Sequence, residues 1–288
     1  METTAGRTEY VAVDGGQLAY DVVGDGPLVV LSPGLADVRA TYRYLAPLIV
    51  AAGYRVARVD LRGHGESSAG WSSYTHADTA ADLLAVIRHL GGPAVIVGQS
   101  FSGGAATLAA ANDPALLRAV VPIAPVTRPQ QVSVGALLRN DHDYRRGGLA
   151  LLRFLLTGSA AAWLKYLTVA FPGIRPADWD SYRASIAQSL SDPGRVEAAR
   201  RMANSKPAKL TLAEAGRRLA DVRCPVLIVM GRDDSDFPNP EAEAAGIVSQ
   251  LPPGAGRYVL IDGAGHYPHA QQPVRVADEI IPFLATLA

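Results

Sequence analysis

The stretch that decides the fold is residues 95–104, which read Val-Ile-Val-Gly-Gln-Ser-Phe-Ser-Gly-Gly. A short apolar run leads into Ser100, and alanine-rich helical sequence follows. This order predicts a strand, a sharp turn and a helix, with Ser100 at the turn. Such a tight turn requires small residues two positions before and two after the serine, and Gly98 and Ser102 meet that requirement. Ser100 is therefore either an exposed nucleophile or the residue that caps the following helix.

Strand-like and helix-like segments alternate on both sides of this turn. The segments Glu9 to Val13 and Gln17 to Val23 are predicted to form a hairpin, and Ala40 to Ala52 is predicted to be a helix. Thr75 and Asp78 have the spacing of a capping box at the start of another helix. The alternation predicts an α/β fold, with a doubly wound, mostly parallel sheet that is covered by helices on both faces.

The alternation is interrupted between Thr127 and about Arg217, where the sequence contains helical patterns and no β-like run. We predict a core formed by residues 1–126 and 218–288, and an all-helical cap over residues 127–217. Such an insertion is expected to lie over the carboxyl edge of the sheet, where ligands of doubly wound folds bind. Aromatic side chains of the cap either line a substrate pocket or form the cap's own core. The pocket candidates are Trp163 and Tyr166, and after them Phe154, Phe171 and Trp179.

Composition excludes several classes of protein. The 288 residues are 49% hydrophobic and 19% charged, with 27 basic and 27 acidic side chains, which is typical of a soluble globular enzyme and not of a disordered chain. Zero net charge and the lack of a basic stripe argue against nucleic acid as a partner. The N-terminal residues lack the apolar region of a signal peptide, and charges interrupt the longest apolar stretch. These features predict a cytoplasmic protein without a membrane span. They leave open whether it forms a homo-oligomer.

A nucleophilic serine needs an imidazole base, and the base needs a carboxylate. The strongest base candidate is His266, in a glycine-containing loop that follows a predicted strand. The other five histidines are expected to be surface or turn residues: His64, His76, His89, His142 and His269. The loop of residues 231–238 supplies three possible acids, Asp233, Asp234 and Asp236. A calcium loop is a weak alternative, because the glycine and the final glutamate of an EF-hand are missing.

Taken together, these motifs resemble those of the α/β hydrolase family. The serine turn, the Asp-Leu-Arg-Gly-His-Gly-Glu-Ser turn at residues 60–67, the loop at 231–238 and Gly265-His266 are similar to its motifs and stand in the same order. The resemblance implies an eight-stranded sheet with a cap after the sixth strand and a catalytic triad of Ser100, Asp234 and His266. Asp234 is chosen because the family's acid is the third residue after the loop glycine.

The resemblance also implies an oxyanion hole, formed by the backbone N–H groups of Leu35 and Phe101. Two residues depart from the family pattern. Ser102 replaces a glycine of the serine turn, and Pro33 replaces a histidine that often supports the oxyanion loop. No cofactor and no metal ion are implied.

The function expected from these residues is hydrolysis of a carboxylic ester or lactone of a small, largely apolar substrate, through an acyl-enzyme on Ser100. A serine at this position excludes the epoxide hydrolases and haloalkane dehalogenases, which need a carboxylate there. Carbon–carbon bond hydrolysis, thioester hydrolysis and cofactor-free perhydrolysis use the same triad and stay open. An alternative from another class of function is a ligand receptor or scaffold built on a hydrolase fold.

Overall fold

The computed structural model describes residues 6–129 and 142–287. Segment 130–141 of the predicted cap lies outside the described residues, as does the side chain of His142. Eight strands form one sheet in the order β1-β2-β4-β3-β5-β6-β7-β8. Strand β2 is antiparallel to β1 and β4, and every other pairing is parallel. The strands are β1 Glu9–Val13, β2 Gly16–Val23, β3 Leu28–Ser32, β4 Arg55–Val59, β5 Ala94–Gln99, β6 Leu117–Ile123, β7 Val226–Gly231 and β8 Gly256–Ile261.

The central strands read as continuous apolar runs because both faces of the sheet are covered. Every residue of β3, β5 and β7 is buried. The helices that follow the strands are α1 Leu45–Ala51, α2 His76–His89, α3 Phe101–Asn112, α9 Pro240–Val248, α10 Pro268–Gln271 and α11 Pro273–Ala285. The predicted doubly wound, mostly parallel fold is confirmed.

The helix predicted over Ala40 to Ala52 is shorter in the structure. A 3₁₀ turn spans Arg39–Tyr42, and α1 begins only at Leu45. Pro47 lies in the first turn of α1, where its missing N–H leaves no hydrogen bond unmade. The same proline further inside a helix would remove a backbone bond, so it fixes where α1 starts.

The turn of residues 60–67 is an architectural element. The Ser67 hydroxyl donates to the Asp60 carbonyl at 2.8 Å and accepts from the Ala19 N–H at 2.9 Å. A Cβ on Gly65 would lie 2.2 Å from the Asp60 carboxylate, so only glycine fits there. The turn holds His64 beneath the loop that follows β3.

Among the described residues, five α-helices lie between β6 and β7. They are α4 His142–Thr157, α5 Ala160–Ala170, α6 Trp179–Ser189, α7 Pro193–Asn204 and α8 Lys206–Arg217. Phe154, Phe171 and Trp179 are buried in a hydrophobic cluster distinct from the main core. The same cluster includes Ala36, Tyr267 and Ala270 of the core, and Phe171 stacks on Tyr267 with ring centroids 4.5 Å apart, so these side chains pack where the helical segment meets the core. Among the described residues, no helix combines the length and apolar character that a bilayer span requires.

Candidate active site

Ser100 occupies the junction between β5 and α3 in a backbone conformation that serine rarely adopts. Its φ is 51° and its ψ is −113°. The hydrogen bond from the Ser100 N–H to the Ile123 carbonyl, 2.8 Å, fixes this geometry from the neighbouring strand. The Ser100 side chain makes no capping hydrogen bond to α3, so the helix-cap alternative is wrong. Strain of this kind is stored where function requires it.

The small residues around Ser100 are required by close backbone approach. A Cβ on Gly98 would lie 2.5 Å from the Ser102 carbonyl oxygen. Ser102 itself is fully buried, and its hydroxyl donates to the Pro33 carbonyl and lies 2.9 Å from the Ser32 hydroxyl. Ser102 thus ties the serine turn to the loop after β3. The sequence gives no direct signal for this bond, although both residues are the ones that depart from the family pattern.

His266 lies directly against the acid loop that follows β7. Its Nδ1 is 2.9 Å from Asp234 Oδ2 and 3.1 Å from Asp234 Oδ1. Asp234 is buried, whereas Asp233 is exposed to solvent. Since an ionised carboxylate can only accept, Nδ1 donates its proton to Asp234, and Nε2 is the nitrogen that can exchange a proton with a substrate or nucleophile. This is the arrangement that the choice of Asp234 over Asp233 requires.

The third acid of the loop contacts the other side of the imidazole. Asp236 Oδ2 lies 3.5 Å from His266 Nε2 and accepts a hydrogen bond from the Tyr166 hydroxyl at 2.7 Å. The Asp236 backbone N–H donates to Asp234 Oδ1 at 2.9 Å. Motif spacing does not indicate this position for Asp236, because the loop must first fold back on itself.

The backbone of His266 is anchored to two other parts of the site. The Gln99 side chain, one residue before Ser100, donates to the His266 carbonyl at 3.1 Å. The His266 N–H donates to the Ala170 carbonyl, at the end of α5, at 3.0 Å. A Cβ on Gly265 would lie 2.5 Å from that carbonyl. The imidazole is therefore held in place by both the sheet and the helical insertion.

The charge state of His266 is set by competing effects. Burial lowers its pKa, but Asp234 and then Asp236 raise it, and the net result is a pKa of about 9. Burial also raises the pKa of Asp236 above its usual value, with His266 opposing and Asp234 reinforcing that shift. Among the described residues, no hydrogen bond joins His266 to the Ser100 hydroxyl.

Two backbone N–H groups beside Ser100 are available as donors. Neither Leu35 nor Phe101 donates its N–H to a described residue. A Cβ on Gly34 would lie 3.0 Å from the Cβ of Ser100, which shows how closely the loop after β3 approaches the serine. The two predicted oxyanion donors thus belong to backbone segments on either side of the Ser100 side chain.

His64 supports the loop that carries Leu35. Its Nδ1 lies 2.9 Å from the Arg62 carbonyl, and its Nε2 accepts from the Ala36 N–H at 3.1 Å. These two bonds require the neutral ring, and burial lowers the pKa of His64 to about 4. With Ser102, His64 supplies the support that a histidine at position 33 often gives.

A cavity of about 160 Å³ opens above Ser100. The two predicted pocket residues, Trp163 and Tyr166, both lie in its wall, and so do Leu35 and Phe101. The indole N–H of Trp163 has no hydrogen-bond partner among the described residues. The remaining lining residues are His76, Ser100, Val126, Leu151, Met202, Ala203, Ala208, Lys209, Leu212, Asp236, His266 and Tyr267.

The expectation that the other histidines are surface or turn residues is wrong for His76 and His269, which lie buried in helices, whereas His64 lies in its predicted turn but is buried there. His64, His76 and His269 are buried, and His89 is the exposed one among those of these five histidines whose side chains are described. His76 stacks on Phe101 with ring centroids 3.9 Å apart and lines the cavity. Isolated histidines carry no periodic signal for burial, so the sequence could not separate these residues from surface ones.

One group of described side chains is compact enough to be considered as a cation site. The nearest ligand atoms of Asp234, Asp236 and His266 all lie within 4.8 Å of one another. These atoms already contact each other and the Tyr166 hydroxyl through hydrogen bonds and close ionic contacts. We therefore interpret the group as a hydrogen-bonded acid–base cluster.

The motifs and the fold agree with a comparison against protein families. The model of the alpha/beta hydrolase family matches residues 29–279. The chain belongs to the α/β hydrolase family. Because the match runs from β3 into α11, it includes both the strands and the loops that position the site.

Relatives within the α/β hydrolases have diverse activities. The 2-(acetamidomethylene)succinate hydrolase of Mesorhizobium japonicum is 29% identical over 277 residues, 94% of each chain. A thermophilic esterase from Thermogutta terrifontis has a TM-score of 0.73 at 23% identity, over 98% of this chain and 99% of its own. The epoxide hydrolase CorEH has a TM-score of 0.77 at 18% identity, over 98% and 99%. The two structural likenesses show the shared fold.

The close approach of the Ser102 carbonyl to Gly98 predicts that a side chain at position 98 destabilises the protein. Gly98→Ala should lower the free energy of unfolding by about 1–3 kcal/mol, because the added Cβ forces the serine turn apart. Gly148→Ala is the matched control, since Gly148 lies in α4 with no atom within 4 Å of the added Cβ. That change should be neutral or stabilise by up to about 1 kcal/mol. Urea unfolding measures both, and equal effects would contradict the explanation.

Proposed function

We propose that this protein is a serine hydrolase that cleaves a carboxylic ester or lactone of a small, largely apolar substrate through an acyl-enzyme on Ser100. The observation that carries this proposal is the strained Ser100 in the wall of a cavity that His266 also lines, with Asp234 on the far side of the imidazole. Backbone strain of this kind clusters at functional sites, so the geometry of Ser100 supports a chemical role for it.

In the proposed reaction, neutral His266 takes the proton of the Ser100 hydroxyl while the serine oxygen attacks the substrate carbonyl. The carbonyl oxygen becomes an oxyanion, which accepts hydrogen bonds from the Leu35 and Phe101 N–H groups. When the intermediate collapses, His266 returns the proton to the leaving alcohol. A water molecule then repeats the sequence on the acyl-enzyme and releases the acid. Asp234 holds the imidazole in the tautomer that these steps need.

We further propose that residues 127–217 form a cap that selects the substrate over a core of residues 1–126 and 218–288. Its helices supply Trp163 and Tyr166 to the cavity wall, and the Ala170 carbonyl holds His266. The wall is mainly apolar, and its charged members among the described residues are Lys209, Asp236 and the protonated His266. Such a lining favours a small molecule with limited charge.

Carbon–carbon bond hydrolysis, thioester hydrolysis and perhydrolysis would use the same Ser100 chemistry, so the substrate must separate them. A panel of esters, lactones, thioesters and vinylogous diketones distinguishes these reactions by relative kcat/KM. We expect the highest kcat/KM for esters or lactones. A carbon–carbon or thioester substrate turned over far more efficiently would replace the ester assignment.

The nucleophile is tested with a fluorophosphonate probe, which labels only activated serines. The wild-type protein should be labelled, and Ser100→Ala should abolish labelling. Hydrolysis of short-chain p-nitrophenyl esters should fall by about 10³-fold or more in Ser100→Ala and His266→Ala, as in other serine triads. An unreactive, folded wild-type protein would instead support a ligand receptor or scaffold.

The acid is tested by a matched pair of substitutions in one loop. Asp234→Asn should lower kcat by about 10³–10⁴-fold, because the amide no longer stabilises the imidazolium or fixes its tautomer. Asp233→Asn removes the same charge one residue away, at an exposed position, and should leave kcat nearly unchanged. Steady-state kinetics on both variants decides the assignment, which fails if the two effects are reversed.

A further inference from the structure

The imidazole of His266 lies between two carboxylates, one on each ring nitrogen. Asp234 contacts Nδ1 at 2.9 Å, and Asp236 Oδ2 lies 3.5 Å from Nε2. The proposed reaction needs Nε2 for the Ser100 hydroxyl, yet no hydrogen bond joins those two groups among the described residues. The second carboxylate is therefore next to the one nitrogen that must accept the serine proton.

Asp236 is held at this position by two contacts of its own. Its Oδ2 accepts the hydrogen bond of Tyr166, from α5, and its backbone N–H donates to Asp234. The Asp236 side chain keeps 17% of its surface exposed and lines the cavity, whereas the side chain of Asp234 is fully buried. Asp236 thus faces both the imidazole and the space that a substrate would occupy.

We propose that Asp236 is a positioning residue that restrains the base, because its carboxylate competes with the Ser100 hydroxyl for Nε2 of His266. The inference rests on the proposed function of Ser100 and His266. An ionised Asp236 favours the imidazolium with its Nε2 proton directed to the carboxylate. The base becomes available to Ser100 when His266 loses that proton. Asp236 therefore raises the pH at which hydrolysis begins.

The other titratable groups around His266 do not offer an alternative source for this effect. Tyr267 and Tyr166 are buried phenols whose pKa is raised by burial and by the nearby carboxylates, so both are neutral in the physiological range. Burial lowers the pKa of His269, on α10, to about 3, and that of His76, on α2, to about 3. Lys209, on α8, is exposed in the cavity wall and would oppose the imidazolium. Within the described ranges, Asp234 and Asp236 are the groups that stabilise the protonated ring.

Removal of the Asp236 charge withdraws an anion from the imidazolium and so lowers the pKa of His266 from about 9. His266 is then neutral at a lower pH, so the acidic limb of the kcat/KM profile moves down by about one pH unit or more. Well below the limb, a shift of one unit corresponds to about a tenfold gain in kcat/KM.

The experiment compares wild type with Asp236→Asn, whose amide oxygen can still accept the Tyr166 hydrogen bond, and with Asp236→Ala. Asp233→Asn is the control, because it removes the same single negative charge at an exposed position of the same loop. The limb should move down in both Asp236 variants and stay in place in the control. A limb that stays in place in an active Asp236 variant would overturn the proposal. So would loss of hydrolysis in a variant that still reacts with the fluorophosphonate.

A second measurement separates this proposal from the proposed function. NMR titration of ¹³C-labelled histidine, with the His266 signal identified from His266→Gln, reports its pKa without any turnover. A lower His266 pKa in Asp236→Asn supports the restraint even if no substrate is hydrolysed, and an unchanged pKa refutes it. If the fluorophosphonate fails to label Ser100 in the folded wild-type protein, that result refutes the hydrolase proposal and leaves the Asp236 proposal to the NMR titration.

Discussion

The rest of the site depends on one backbone constraint, the left-handed conformation of Ser100 between β5 and α3. A non-glycine residue pays for a positive φ with strain, and the surrounding structure must hold it there. Here the Ile123 carbonyl fixes the Ser100 N–H, and the absence of a side chain at Gly98 lets the Ser102 backbone approach closely enough for the turn to close. Because of this turn, the serine side chain leaves the helix and enters the cavity instead of capping α3.

In this chain, hydrogen bonds of Ser102 and His64 support the loop that lies beside the serine turn. Ser102 takes the place of a glycine, but its hydroxyl binds the Pro33 carbonyl and so connects the serine turn to the loop of Leu35. His64 accepts the Ala36 N–H from below the same loop. The two residues that depart from the family pattern are therefore joined by the hydrogen bond between Ser102 and Pro33. The loop is held by different groups, while the free N–H of its Leu35 stays beside Ser100.

The fold could be predicted from the sequence because buried parallel strands read as apolar runs, and β5 and β7 are examples. The Thr75–Asp78 capping box was also readable, since its two residues lie three apart and the structure contains both of its bonds. What could not be read depends on contacts between distant parts of the chain. The position of Asp236 at Nε2 and the burial of His76 arise only after the loop and the helices have packed. Neither leaves a local pattern.

We propose that Ser100, His266 and the Leu35 and Phe101 N–H groups act together on one substrate carbonyl. A crystal structure of the protein after reaction with a phosphonate tests it most directly, because the adduct mimics the tetrahedral intermediate. We expect phosphorus bonded to Ser100 Oγ, its P=O oxygen about 2.7–3.1 Å from both N–H groups, and His266 Nε2 turned toward Oγ. An adduct on another residue, or a P=O oxygen directed away from Leu35 and Phe101, would contradict it.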